Sequence, residues 1–251
     1  MNTTFDQIKK LGKLIAEDQH YNHYHDEVML TRYDSNYLEF KQMPTVSDFQ
    51  EGEHKLLTFH ELYDQTHVKF KFPPNEVLPE QLLTYFTQEK YTVSFLELYY
   101  IEASKFKSDG HHSVQVQQVS TDNIEVFLKL NYDEDIHYGL AFAQSKQHYL
   151  RNSLHRPNEK MLIALYEGVP AGSVVLYESE ESIEIDNLFV TLAMQRKGVG
   201  TQIQREIMQM NPTKTIILVA DGEDTARLMY QKQGYTFAGF QYEALKTAES
   251  V

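Results

Sequence analysis

The chain of 251 residues contains no cysteine. That absence excludes disulfides, thiolate metal sites and any cysteinyl acyl-enzyme. No apolar run is long enough to cross a bilayer, and residues 1–20 interleave Asp6, Lys9, Lys10, Lys13, Glu17 and Asp18 with apolar positions, unlike a secretion signal. A cytoplasmic location is expected. There is no basic surplus: 23 Lys+Arg stand against 36 Asp+Glu, a formal net charge of -13. Residues 1–112 hold 11 basic against 18 acidic side chains, and residues 113–251 hold 12 against 18. A nucleic acid is therefore a poor partner, whereas a cationic amine or basic peptide would be steered inward. The same acidity also serves solubility. Two phosphate-binding signatures are missing as well. GxxxxGK[ST] occurs nowhere, and GxGxxG fails because Ile203 stands where its last glycine belongs.

What is present is a hydrophobic strand ending at Val190, a turn through Gln195, Arg196, Lys197, Gly198, Val199 and Gly200, and an amphipathic helix starting near Thr201. Gly198 and Gly200 remove β-carbons that would keep a ligand off the backbone, so successive N–H groups and the positive helix end face an anion. Arg196 and Lys197 add full charges. The stretch reads as a pyrophosphate cradle. Ile203, Ile207 and Met210 line one helical face, with Gln202, Gln204, Arg205 and Gln209 elsewhere. After Asn211 and Pro212, residues 215–220 form a continuous apolar run, as for a strand covered on both faces. Residues 226–235 read as a helix closed by Gly234 and followed by Tyr235.

Gln195-x-x-Gly198-x-Gly200, set between strand and helix, resembles the acetyl-CoA loop of the GNAT superfamily of N-acyltransferases. Downstream, Ala226-x-x-x-Tyr230-x-Lys232-x-Gly234-Tyr235 is similar to a second segment of that family. The resemblance implies an α/β (α+β) fold: a mixed, mostly antiparallel sheet flanked by helices in a domain over residues 113–251, with a smaller N-terminal α/β lobe over residues 1–112. The segment pattern matches. A strand is expected at 114–119, helices between 121 and 152, and strands at 161–166, 172–177 and 182–190, with Glu167-Gly168 and Pro170 marking a hairpin turn. With the later segments the order is β-α-α-β-β-β-α-β-α-β. The polar, glycine-containing interval 105–112 marks the boundary. Before it, strands are expected at 37–40, 67–72 and 91–102 and a helix at 79–88 after Pro73-Pro74. This lobe reads either as a degenerate second GNAT-like half or as an unrelated βαβ unit that shapes the acceptor side or makes an interface. Residues 1–19 read as an amphipathic helix with Phe5, Ile8, Leu11, Leu14 and Ile15 on one face.

An alkylammonium is not nucleophilic until it loses a proton, and a thiolate leaves better when protonated, so a base and an acid are wanted. The resemblance implies an N-acetyltransferase that uses acetyl-CoA (coenzyme A) and acts directly on a primary amine of a small molecule or peptide. Tyr230 matches the family's tyrosine and is the candidate acid; the alternative is that it only packs. Glu184 and Asp186 lie on one side of their strand by alternation. Glu184 stands six residues before Val190, the spacing at which histone-type members keep a catalytic glutamate. Asp186 or ordered water could serve instead, or both carboxylates could bind a cationic acceptor. In the resembled fold, backbone N–H groups of the strand carrying Leu188 and Val190 polarise the thioester carbonyl and pair with the pantetheine arm. The sheet then splays between this strand and residues 215–220. Gln195 through Thr201 take the phosphates.

Glu223 stands where many family members carry an asparagine that holds coenzyme A, so Asp221, Asp224 and Thr225 are read as helix caps. His20, His23 and His25 are read as solvated, and no metal site is assigned. The run Tyr132-Asp133-Glu134-Asp135 is read as exposed charge, or as a recruiter of a cationic amine. The rival function is a non-catalytic acyl-CoA-binding or regulatory protein with an N-terminal interaction lobe; a scaffold that binds neither is a third. No membrane partner is expected, and a homodimer is left open.

Overall fold

Apolar segments of strand length, interspersed with helices, recur along the chain. The computed structural model describes residues 3–223 and 226–248. In chain order the regular elements are β1 (Lys13–Glu17), β2 (Tyr21–His25), β3 (Tyr37–Phe40), α1 (Val46–Glu61), β4 (His67–Lys71), α2 (Glu80–Gln88), β5 (Thr92–Glu102) and β6 (Val114–Gln118). They continue with α3 (Ile124–Asp135), α4 (Leu140–Ser153), β7 (Glu159–Tyr166), β8 (Val169–Glu178), β9 (Ser182–Val190), α5 (Val199–Met210), β10 (Thr215–Asp221), α6 (Ala226–Gln233) and β11 (Thr236–Thr247). From β6 onward this is the order expected. Among the described residues no helix is long and apolar enough to cross a membrane.

The chain divides into two compact units whose edges differ from the boundary at residue 112. One unit comprises Met1–Leu98, Ala220–Asp224 and Ala238–Val251; the other comprises Tyr99–Val219 and Thr225–Phe237. The first unit therefore takes its last strand from the far end of the chain.

In the first unit, β3 and β4 run parallel with α1 between them, and β11 pairs antiparallel with β4 from Glu243 opposite Lys71 to Thr247 opposite His67. α1 starts at Thr45, whose hydroxyl accepts from the Asp48 N–H at 3.2 Å while the Asp48 carboxylate accepts from the Thr45 N–H at 3.0 Å. Phe49 on this helix is fully buried, with its ring centroid 4.6 Å from Phe70 and 4.8 Å from Phe86. Phe40, Leu56, Phe72, Leu82 and Tyr91 complete an aromatic core.

Two expectations about the N-terminus need correction. The expected helix over residues 1–19 does not form within the described residues 3–19: a single turn at Phe5–Gln7 is followed by β1, which pairs antiparallel with β2. The Asp18 carboxylate accepts the N–H groups of His20 and Tyr21 at 2.7 and 3.0 Å, closing a turn between the two strands. A side chain that satisfies two amides in a turn competes directly with helix formation, and the ladder to β2 then satisfies the backbone that a helix would have used. All five β1 residues, Leu14 and Ile15 included, remain exposed.

The histidines are not uniformly solvated either. His20 is exposed, but His23 and His25 on β2 are buried, with the Phe59 ring edge-on to both at 4.6 and 4.9 Å. His60 and His67, also buried, lie 4.9 Å apart, and His60 Nδ1 is 2.6 Å from the His67 carbonyl oxygen. No group of three or more metal-ligating side chains forms among the described residues.

In the second unit, β6, β7, β8 and β9 are successive antiparallel neighbours, and β10 runs parallel to β9. The β7–β8 hairpin turns at Glu167 and Gly168, with φ of 50° and 83°, the pair of positive angles a two-residue hairpin needs. Pro170 lies inside β8 rather than in the turn. α5 buries Val199, Ile203, Gln204, Ile207 and Met208, while Met210 is exposed. The apolar stripe thus ends on Met208, and it includes Gln204 because the Tyr235 hydroxyl donates to its Oε1 at 2.9 Å.

Candidate active site

β9 changes character half-way along. Its parallel ladder with β10 runs from Ser182 opposite Thr215 to Ile185 opposite Leu218 and stops there. Burial changes at the same point: residues 182–185 are buried, and residues 186–190 are half-buried. On the other side, the register with β8 slips between Val175 opposite Asp186 and Ser173 opposite Phe189, leaving one extra residue on β9. Asn187, in that bulge, has φ of 48°. Residues 186–190 thus offer a length of strand edge that β10 does not take up.

The chain leaves Val190 through a short helical turn at Leu192–Met194. Gln195 reaches back, its Nε2 donating to the Val190 carbonyl at 3.3 Å. Arg196 and Gly198 both adopt left-handed backbone, with φ of 63° and 77°. The first bond into α5 is from the Gln202 N–H to the Gly198 carbonyl at 2.9 Å. No acceptor among the described residues meets the N–H groups of residues 196–201, the donors a helix start leaves open. Lys197 lies over the Tyr166 ring, its Nζ 4.9 Å from the centroid.

The two glycines have different reasons. A Cβ on Gly198 would sit 2.2 Å from ring atoms of His111, so that α-carbon is covered by the chain itself and not kept clear for a ligand. A Cβ on Gly200 would meet only the Val190 Cγ2, at an ordinary 3.5 Å. Nothing in the fold demands glycine at 200, which leaves its missing Cβ as room beside the open amides.

Glu184 and Asp186 occupy alternate positions of β9, in register with Tyr177 and Val175 of β8. Glu184 is buried within the doubly paired part of the strand, and Asp186 is half-buried at the first position beyond it. Leu188 and Val190 lie in the stretch that β10 does not pair. Tyr230, on α6, is half-buried, its ring 5.6 Å from Tyr99 and 5.5 Å from Tyr235. Asp221 accepts the Glu223 N–H at 2.9 Å, a local turn ahead of α6; the other proposed caps, Asp224 and Thr225, lie outside the described residues.

Residues 130–244 match the acetyltransferase (GNAT) domain family, and residues 3–99 match a domain of unknown function, DUF5613. Residues 130–244 are thus a GNAT domain. Along its whole length it is similar to a functionally unknown conserved protein from Staphylococcus epidermidis, at 32% identity and a TM-score of 0.90, with 98% of each chain covered. It shares its fold with a GCN5-related N-acetyltransferase from Kribbella flavida, at a TM-score of 0.63 and 11% identity over 94% of this chain and 89% of that one. A GCN5-related N-acetyltransferase from Sphaerobacter thermophilus gives a TM-score of 0.58 and 12% identity, over 90% and 76%. No curated protein matches the chain.

Two groups at the GNAT loop and strand were not singled out from sequence. The segment before β6 is fastened to α5: the His111 N–H donates to Gln202 Oε1 at 2.9 Å, and Arg205 Nη1 donates to the Ser108 carbonyl at 2.7 Å. The second group corrects the reading of Asp135 as part of an exposed run. Asp133 is exposed, but Asp135 is buried and receives Lys146 Nζ at 2.7 Å. Burial pushes the Asp135 carboxyl up from the usual carboxylate range, and the Lys146 ammonium partly offsets that rise. Its position at the end of an acidic run disguises it, since only the packing of α3 on α4 separates it from its neighbours.

Proposed function

We propose that this protein is an acetyl-CoA-dependent N-acetyltransferase that transfers an acetyl group directly to a primary amine of a small molecule or peptide. The observation that carries the reading is the length of β9 at residues 186–190 that pairs with β8 but not with β10, and that leads into a turn whose amides at 196–201 lack acceptors within the described chain. An amide-bearing arm requires a free strand edge, and a diphosphate suits clustered N–H donors at a helix start. The room at Gly200 and the cations of Arg196 and Lys197 fit the same ligand.

When bound, acetyl-CoA supplies a thioester carbonyl activated toward amines. Gln195 to Thr201 hold its phosphates, and the backbone of Leu188 and Val190 pairs with the arm and polarises the carbonyl. Glu184 or Asp186 takes the proton that the acceptor ammonium must lose, directly or through a water. Tyr230 gives its phenolic proton to the departing sulfur. The chain has no cysteine to carry an acyl group, so the transfer needs no thioester with the protein. An overall charge of -13 favours a cationic acceptor.

The test is release of free thiol from acetyl-CoA with a panel of polyamines, aminoglycosides, amino acids and peptides. Acceptor-dependent release supports the reading. Tight coenzyme binding without release across the panel would replace it by the non-catalytic acyl-CoA-binding protein. Glu184→Gln and Asp186→Asn then assign the base: its loss lowers kcat/KM by about 10² to 10⁴ and removes the acidic limb of the pH profile, while loss of a binding carboxylate raises KM alone.

A further inference from the structure

A half-buried lysine reaches the one residue of β9 that has left-handed backbone. Lys146 Nζ, on α4, donates to Asp135 Oδ1 at 2.7 Å and to the Asn187 side-chain oxygen at 3.2 Å. Asn187 Nδ2 donates to Asn131 Oδ1 at 3.2 Å, and Asn131 Nδ2 donates in turn to the Phe127 carbonyl at 2.9 Å and to Ser173 Oγ at 3.1 Å. Both ends of the Asn187 amide are thus held from α3 and α4, and Asn131 ties the group to β8 at Ser173, where the register slips. Asp135 is 3% exposed and its Oδ2 has no hydrogen-bond partner.

An ion pair with one partner buried and an unsatisfied oxygen is a poor source of stability, because desolvation offsets the attraction; in some proteins such a pair instead specifies a geometry. The geometry here is the bulge. Asparagine tolerates left-handed backbone better than most residues but returns readily to extended angles when nothing holds it. An extended Asn187 would remove the bulge and carry β9 straight on past Ile185, alongside β10.

We propose that Lys146, seated by Asp135, is a positioning residue that holds Asn187 in its left-handed conformation and so keeps residues 186–190 of β9 open to the arm of the acyl donor. The inference rests on the acyl-donor reading for its purpose, but the bulge itself is measurable without any ligand.

Removing Lys146 alone would strand the Asp135 charge, so the test uses the paired variant Asp135→Leu/Lys146→Met, with and without Asn187→Gly. Amide hydrogen exchange is followed over residues 182–190, and coenzyme A binding is followed by calorimetry. In the wild type, residues 186–190 exchange faster than residues 182–185. In the paired variant the fast stretch becomes protected and coenzyme A affinity falls by about tenfold or more. Adding Asn187→Gly, which takes the left-handed angle without support, restores both the fast exchange and the affinity. Unchanged exchange in the paired variant, or failure of the glycine to restore it, overturns the inference. If the exchange changes as expected but wild type gives no heat with coenzyme A, the positioning role stands and the donor reading fails.

Discussion

Ile185 and Leu218 form the last pair of the parallel ladder between β9 and β10, and the next residue of β9, Asp186, is the first of five that β10 leaves alone. The turn that follows carries two glycines with opposite demands. Gly200→Ala places a methyl group at an ordinary distance from Val190 and removes glycine from a helix, so stability is expected to rise by up to about 1 kcal/mol. The same methyl narrows the approach to the open amides, and coenzyme A affinity is expected to fall. Thermal unfolding and calorimetry should therefore move in opposite directions.

Gly198→Ala behaves differently. Its left-handed angle costs an L-residue about 1–2 kcal/mol, and the new methyl collides with His111. The variant is expected to unfold at lower denaturant, and His111→Ala in the same chain should recover only the part due to the collision. Urea titration of the single and double variants measures both parts.

Tyr230→Phe keeps the ring against Tyr99 and Tyr235 and removes only the hydroxyl. Turnover is expected to drop by about 10² or more, with the unfolding midpoint nearly unchanged. Equal turnover in the two proteins would remove Tyr230 from the role of acid.

Tyr235→Phe is a stability probe instead. Its hydroxyl is the partner of the buried Gln204 Oε1, and Gln204 Nε2 already has none. Losing the hydroxyl is expected to cost about 1–3 kcal/mol, whereas Tyr235→Phe with Gln204→Leu should lie close to wild type, since an apolar pair leaves nothing unsatisfied. A double-mutant cycle in urea reads the difference.

Acid should weaken the first unit. Burial, with His60 close by, pushes the His23 imidazole down to about 4 and His67 down to about 3. Above the ordinary histidine value near 6.5, both folded and unfolded chains hold these rings neutral. As pH falls below it, the unfolded chain binds protons that the folded one refuses, so stability drops by at most about 1.4 kcal/mol per pH unit for each ring. The loss continues until pH reaches the folded values. Asp26 and Glu27 near His25, and Asp34 near His67, temper the effect, while Lys69 adds to the depression of His67. Unfolding followed at pH 7.5 and pH 5 should show the decline, and His67→Phe should make it shallower.

Much of the second unit could be read from the chain because its signals are local. The strand into Val190, the glycine turn and the two later helices each announce themselves within a dozen or so residues by period and capping. The Met208 and Met210 exchange shows the limit of that reading, since a stripe of 3.6-residue period leaves its last member uncertain until packing decides. The bulge at Asn187 was not legible, because a slipped register is a property of two strands and neither sequence records it alone. The burial of His23 and His25 is hidden for a similar reason: Phe59 and Tyr63, whose rings pack against them, come from α1 and the residues just after it, far along the chain. Thr45-x-x-Asp48 is a legible start signal for α1, and at the N-terminus the turn-forming Asp18 overrides an apolar spacing that suits a helix.

The antiparallel pairing of β11 with β4 also bears on how the protein tolerates cutting. A fragment ending at residue 112 would lose residues 243–247 and bare the rim of β4 over His67–Lys71. An uncovered rim of buried residues invites adhesion to other molecules. Production of the N-terminal half as a soluble piece would then require its missing tail to be grafted back, for instance as a rearranged chain in which the distal strand is joined directly to the proximal lobe.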